Sequence, residues 1–444
     1  MEVSCYLYSD GAIQARGNFA AAEIGSRKGI EKPLRRKKKP NELYRDNRVL
    51  IWLCAVIFLT QLGFGSIVPV VPLYAREFGV SQWAIGLTIA VYGLARFLVS
   101  VPTGQLADRV GRRWSLVLGE IVTAVGNLLC GLSTTYEQFL AFRFIAGAGS
   151  AMVLTSGQIS LADVATSANR GRVMGIYQGV FLFAVGFGPF PGGMLAERFG
   201  LNAPFFVFAV LGALAGVVAF TQVPETRGLR EKKEGTEAGA LESQETLPLF
   251  QQLRILFSRV GFVLISLVSF AQFFSRTGAI FAVVPVLGTV KLGLRADQIG
   301  TGLSLVSLLN LGMVYLSGVL ADRFGRKTVI VPANLLTGIS MAILALAPDY
   351  AWFVAGLALW GISGGVAGAV PAAYAADMAP PGMNAATMSS FRMVSEFGYV
   401  IGPLFLGWIA DLFGGEAALY TTAGFFALTS ALFGLFAPET RKRR

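Results

Sequence analysis

The chain has no histidine in 444 residues and only three cysteines. The first absence removes the commonest general base, proton shuttle and metal ligand, and it excludes Ser-His and Cys-His nucleophilic pairs. Cys5 lies in a polar tail and Cys54 and Cys130 in apolar segments, so neither a disulfide framework nor a zinc site is expected. A G-x-x-x-x-G-K-[ST] phosphate loop is also missing, and uphill work would have to draw on a gradient or on an ATPase elsewhere. No cofactor, no metal and no enzyme chemistry are expected. Charge is scarce too: 14% of residues are charged, against roughly 25% in soluble domains, while 54% are hydrophobic.

The apolar residues come in runs of about 20 or more, too long for core helices and matched to a bilayer core of about 30 Å. A β-barrel would instead alternate polar and apolar residues over about ten positions. The chain therefore reads as an all-α membrane protein. Hydropathy predicts twelve transmembrane helices, near 49–75, 82–105, 113–133, 136–163, 171–195, 203–223, 259–288, 297–320, 327–347, 350–377, 385–411 and 415–437. An even number puts both termini on one side. On that side lie 29 of the 37 Lys and Arg; the opposite loops hold only Arg76, Arg198, Lys291 and Arg295, and Arg96, Arg143, Arg276 and Arg392 fall within spans. By the positive-inside rule both termini are cytoplasmic.

The net charge of +11 reflects this placement. The tail 1–48, with its run Arg35-Arg36-Lys37-Lys38-Lys39, reads as a solvated anchor beside anionic lipid and not as a nucleic-acid site. A polar stretch, 226–258, divides the spans into a bundle at 49–225 and another at 259–440, and 441–444 is a basic tail. The two halves repeat. Gly104-Gln105-Leu106-Ala107-Asp108-Arg109-Val110-Gly111-Arg112-Arg113 aligns with Gly318-Val319-Leu320-Ala321-Asp322-Arg323-Phe324-Gly325-Arg326-Lys327, an offset of 214 (104 to 318). The same offset relates Ala162-Asp163 to Ala376-Asp377, Gly188-Pro189 to Gly402-Pro403, and Pro224-Glu225-Thr226-Arg227 to Pro438-Glu439-Thr440-Arg441. Two parallel, pseudo-symmetric six-helix bundles follow.

The duplicated G-x-L-A-D-R-x-G-R-[RK] loop after helices 2 and 8 resembles the hallmark of the major facilitator superfamily of secondary transporters. That resemblance implies a substrate near the bilayer midplane between two rocking halves. Gly188-Pro189-Phe190-Pro191-Gly192-Gly193 resembles the antiporter motif of helix 5. Arg143-Phe144-Ile145-Ala146-Gly147-Ala148-Gly149 resembles the R-x-x-x-G-x-G motif of proton-coupled members, and Pro69-Val70-Val71-Pro72-Leu73-Tyr74 resembles their helix 1 end. Together these resemble the twelve-helix drug:proton antiporters, and they imply efflux of small amphiphilic or drug-like compounds coupled to protons. Helix 1 departs from many of them in carrying no carboxylate before Arg76, only Gln61. The Pro-Glu-Thr-Arg pairs also resemble segment ends of sugar porters, so symport of an organic anion or a sugar stays open, as does a non-transporting sensor on this fold.

Gating is expected from Gly104, Asp108, Arg109, Gly111, Arg112 and Asp163, and from their counterparts Gly318, Asp322, Arg323, Gly325, Arg326 and Asp377. Asp108 would face the positive end of helix 11 near Ala385 in an outward-open state, Asp322 would serve helix 5 near Gly171, and Arg112 and Arg326 would pair with Asp163 and Asp377. Gly188, Pro189, Gly192, Gly193, Gly402 and Pro403 read as helix-bending or close-packing positions.

Charges inside spans cost several kcal/mol when unpaired. Arg392 and Glu396 are spaced to satisfy each other, and Glu120 is near enough to Arg113 for an ion pair at the surface. Without histidine, Glu396 and Glu120 are the titrating candidates, beside Arg392 and Arg143. Expected substrate contacts are Arg96, Gln61, Gln178, Arg276, Asn310, Trp360 and Tyr399. Four intramembrane Arg against two Glu favour an anionic or neutral amphiphile over a lipophilic cation. The expected partners are thus a small-molecule substrate, protons and lipid, for a monomer in a plasma (inner) membrane.

Overall fold

The computed structural model describes residues 40–165, 169–227, 249–380 and 383–440. Most of the tail 1–48, most of the stretch 226–258 and the tail 441–444 lie outside the described residues. Of an amino-terminal unit Met1–Arg45, the described residues 40–45 are helical; the unit Asp46–Arg444 holds everything below.

Bilayer hydrocarbon offers no water to backbone N–H and C=O groups, so an apolar segment that spans it must close its hydrogen bonds within a helix. Twelve described helices are long and apolar enough to do so. They are α1 Arg48–Ile67, α2 Gln82–Val110, α3 Arg112–Leu132, α4 Tyr136–Val164, α5 Gly171–Phe199, α6 Ala203–Gln222, α7 Val260–Leu292, α8 Ala296–Phe324, α9 Arg326–Leu346, α10 Tyr350–Asp377, α11 Ala386–Phe413 and α12 Gly415–Phe436. No strand occurs among the described residues. Polar side chains cap several starts: Ser81 accepts from Ala84 N, Thr135 from Gln138 N and Asp349 from Trp352 N.

Two boundaries differ from the hydropathy reading. Helix 1 is not continuous to residue 75: it stops at Ile67, and a separate short helix, Val71–Glu77, follows a turn at Val68–Val70. Pro69 removes a backbone donor at that break, and Pro72 sits in the first turn of the short helix, where a missing N–H costs nothing. The duplicated motif is mostly not a loop. α2 runs on through Gly104 and Asp108 to Val110, and α8 through Gly318 and Asp322 to Phe324. Only Gly111 and Gly325 break the chain, at φ of 106° and 97°, a conformation that glycine adopts without a Cβ clash.

The halves repeat their packing. In the first, α2 lies on α4, α3 on α4 and α3 on α6; in the second, α8 lies on α10, α9 on α10 and α9 on α12. Across the halves α11 meets α2 and α8 meets α5. The face where α1 begins and α12 ends is called here the terminal face, and its opposite the far face. On the far side a single apolar core joins both halves through residues such as Val70, Ile85, Ile280 and Ile299. On the terminal side there are two cores, one per half: Leu53, Leu116 and Leu161 belong to one, Phe262, Ile330 and Phe433 to the other. The halves are thus joined at the far face and parted at the terminal face.

Candidate functional site

At the terminal face each half ends in the same device. The guanidinium of Arg112, almost wholly buried, donates to Asp163 (Nε to Oδ2, 3.2 Å), to Asp108 (Nη1 to Oδ1, 2.6 Å) and to the Ala107 carbonyl (2.7 Å). Thr226 donates its hydroxyl to Asp163 at 3.1 Å. Glu225, just after α6, accepts the backbone N–H groups of Arg112 (2.9 Å) and Arg113 (3.2 Å) and so caps the start of α3. Arg227 closes the ring by donating to the Arg109 carbonyl at 2.9 Å. In the second half Arg326 pairs with Asp377 at 2.8 Å, and Glu439 accepts from Arg326 N at 3.2 Å. A Cβ on Gly111 or Gly325 would strike the Glu225 or Glu439 carboxylate.

The repeat marked Glu225 and Glu439 in the sequence, but their role as caps needed the fold, which brings the end of α6 to the start of α3. Arg112 and Asp163, like Arg326 and Asp377, are brought together. Asp108 and Asp322 are not brought to the opposite half. The Asp108 side chain is 66% exposed and pairs with Arg112 within its own half, and Gly104, Gly171 and Gly318 have open space around them.

At the far face the contacts cross the halves. Asp411, at the end of α11, accepts Gln82 N through Oδ1 (2.6 Å) and Trp83 N through Oδ2 (2.8 Å), capping α2. Gln82 donates its side-chain amide to the Ala282 carbonyl of α7 at 3.2 Å. The repeat partner of Asp411 is Glu197, 214 positions earlier, and it lies 3.8 Å from Arg295, which also holds Asp297 of the first turn of α8 at 2.6 Å. The hydropathy reading passed over this pair of acids, although the repeat offset would have found it. Glycines make the seam tight. Gly86 lies against the Pro403 carbonyl, Gly193 against that of Ala296 and Gly300 against that of Pro189, with no room for a Cβ.

Within their own halves, Gly188 and Gly192 press on Gly65 and Ser66 of α1, and Gly402 presses on Phe274 of α7. α11 stays helical through Pro403, and Gly188 keeps helical torsions of −52° and −43°.

Between α5, α7, α8 and α10 lies a cavity of about 60 Å³, walled by Leu182, Val185, Leu303 and Val306 and carrying the polar groups of Arg276, Ser307, Asn310 and Trp360. Of the seven expected substrate contacts, Arg276, Asn310 and Trp360 line it. Gln61 is buried elsewhere and Gln178 is exposed. Arg96 lies over the Tyr399 ring, 5.9 Å from its centroid, a contact between α2 and α11. Arg276 sits in a nine-residue π-helical segment of α7, Ser275–Val283, a distortion that recurs at functional sites.

The remaining intramembrane charges are placed as follows. Arg143 is buried over the Tyr92 ring at 4.3 Å and donates to the Thr88 carbonyl at 3.4 Å. Arg392 and Glu396 approach to only 3.9 Å, with the Arg392 side chain 67% exposed. Glu120 does not form the surface ion pair with Arg113. The Arg113 guanidinium turns to the Phe220 ring and carbonyl. Glu120 is fully buried; its Oε1 lies 2.5 Å from the Thr60 hydroxyl of α1, and its Oε2 has no partner among the described residues.

The family model of the Major Facilitator Superfamily matches residues 53–313 and 265–444. An uncharacterized MFS-type transporter of Methanocaldococcus jannaschii is 25% identical over 86% of this chain and 95% of its own. Multidrug resistance protein 2 of Bacillus subtilis is 24% identical over 70% of this chain and 74% of its own. Among solved structures, a D-xylose-proton symporter superposes with a TM-score of 0.69 at 18% identity, over 88% of this chain and 98% of that one. With its twelve spans, its repeated halves and this match over nearly all of residues 53–444, the chain belongs to the major facilitator superfamily of transporters.

Proposed function

We propose that the protein is a secondary active transporter that exports small amphiphilic compounds by alternating access, in exchange for protons. The observation that carries this is the core arrangement: one apolar core joins the halves at the far face and two separate cores flank an opening at the terminal face. In this reading 49–225 and 259–440 are the moving halves and 226–258 joins them. The terminal face, where the basic residues concentrate, is cytoplasmic, the conformation is open inward, and the protein works as a monomer in a plasma (inner) membrane. The likeness to a multidrug resistance protein and the largely apolar cavity wall support an amphiphilic substrate.

Glu120 suits the proton carrier. The Thr60 hydroxyl lies 2.9 Å from the Val56 carbonyl and 2.5 Å from Glu120 Oε1, which ties this carboxyl to α1. A neutral acid avoids a bare charge in a buried apolar site. Glu396, looser and partly exposed beside Arg392, is the second candidate.

A symporter of an organic anion is the alternative, favoured by the lone guanidinium of Arg276 in the cavity. Flux in proteoliposomes of known orientation separates them, with cationic, neutral and anionic amphiphiles tested with and without an imposed pH gradient. Acid at the far face should drive substrate from the terminal to the far face. Substrate movement in the same direction as protons would establish symport, and flux indifferent to the gradient would overturn proton coupling.

A further inference from the structure

Arg276 is the midpoint of α7, sixteen residues from Val260 and sixteen from Leu292, so its charge lies at the depth where an unpaired ion is most costly. Among the described residues no ion pair or hydrogen bond engages it; the Phe281 ring lies 5.7 Å from the guanidinium carbon, and Tyr399 and Arg96 are its electrostatic neighbours. Arg112 and Arg143, by contrast, have acceptors. The same cavity holds a second unspent donor. Trp360 is 94% buried, and its indole Nε1 has no hydrogen-bond partner among the described residues. Buried donors in native proteins are nearly always satisfied, and an unsatisfied one in the same cavity as a partly buried guanidinium without an acceptor and the Asn310 amide leaves a place for an acceptor that comes and goes.

Resting on the transport reading above, we propose that this cavity binds amphiphilic organic carboxylates. Arg276 takes the carboxylate, Trp360 Nε1 and the Asn310 amide donate beside it, and the wall of Leu182, Val185, Leu303 and Val306 holds the apolar tail. A guanidinium matches a carboxylate with two parallel N–H donors. Arg96 lies close enough to add to the positive potential at Arg276, so a negatively charged headgroup is favoured there. A cationic amphiphile would add a second positive charge beside Arg276, which sets this site against the lipophilic cations.

The test uses the purified full-length chain in detergent with three ligands of one shape: 4-phenylbutyrate, 4-phenylbutyramide and 4-phenylbutylamine. The wild-type protein should bind the carboxylate roughly tenfold or more tighter than the amide, the size of one charge-assisted hydrogen bond, and the amine weakest. Arg276→Gln should erase the preference for carboxylate over amide, Arg276→Lys should keep part of it, and Trp360→Phe should weaken the carboxylate alone by several-fold. Equal binding of the three ligands, preference for the amine, or a carboxylate preference that survives Arg276→Gln would overturn the proposal. The wild-type comparison decides even if a variant fails to fold. Carboxylate-selective binding with no flux of any ligand in proteoliposomes would overturn the transport reading and leave the site standing.

Discussion

Thr60 and Glu120 tie α1 to α3 in a buried apolar setting, where a carboxyl has the Thr60 hydroxyl at one oxygen and no partner at the other among the described residues. Glu120→Gln keeps shape and a donor, and it should fold with an unchanged melting temperature in detergent while substrate flux loses its response to a pH gradient. Glu396→Gln should keep that response. Proton-driven flux by Glu120→Gln with the wild-type pH dependence would remove Glu120 from the mechanism. The Arg112–Asp163 pair makes a second residue-scale case, because both side chains are at least 96% buried, whereas Arg326 and Asp377 are partly exposed. Removing one partner of a buried pair costs up to about 3–5 kcal/mol, less here because Arg112 keeps Asp108 as a second carboxylate, and exposed pairs contribute far less. Asp163→Asn should therefore lower the melting temperature clearly more than Asp377→Asn; equal losses would show that burial does not set the strength of these pairs.

Carboxylates on the starts of neighbouring helices are the recurrent device at the scale of elements. Glu225 caps α3, Glu439 caps α9 and Asp411 caps α2, each adding negative charge where a helix dipole is positive. Only Asp411 does so across the halves. In the proposed alternating-access cycle α2 and α11 would have two exclusive latches: Asp411 on the start of α2 at the far face, as seen, and Asp108 on the start of α11 at the terminal face. Asp108→Asn should abolish transport while leaving expression intact, because it removes the second latch and no far-face contact. Normal transport by this variant would sink the gate.

The sequence disclosed the helices through run length and the repeat through its constant offset, and from these the pairing of Arg112 with Asp163 was legible. It did not disclose that α2 and α8 run on through Asp108 and Asp322, since hydropathy falls before the helix does. Nor did it disclose the partner of Glu120. Spans apolar on every side do not reveal which face meets lipid, neighbour or cavity, and so Gln61 and Arg276 read alike until the fold set only Arg276 against the cavity.

For the whole molecule, the joined far core and the parted terminal cores would, under the proposed alternating access, be one of two states. A substitution that weakens only the far-face latch should shift the population without touching substrate contacts. Asp411→Ala removes a cap worth about 0.5–2 kcal/mol, enough to change the ratio of states by roughly two- to thirtyfold. Gly171 on α5 and Gly318 on α8 stand on opposite halves at the terminal face, with open space where a side chain would go, so cysteines there accept spin labels without disturbing packing. Distance measurements on Gly171→Cys/Gly318→Cys, with Cys5 replaced, should show a long separation in the otherwise wild-type chain. A growing population of short separations should appear when Asp411→Ala is added. If the distribution stays unchanged, the far-face contacts of Asp411 do not hold the molecule in this state, and closure there must rest on the glycine-packed seam of α2 with α11 and α5 with α8.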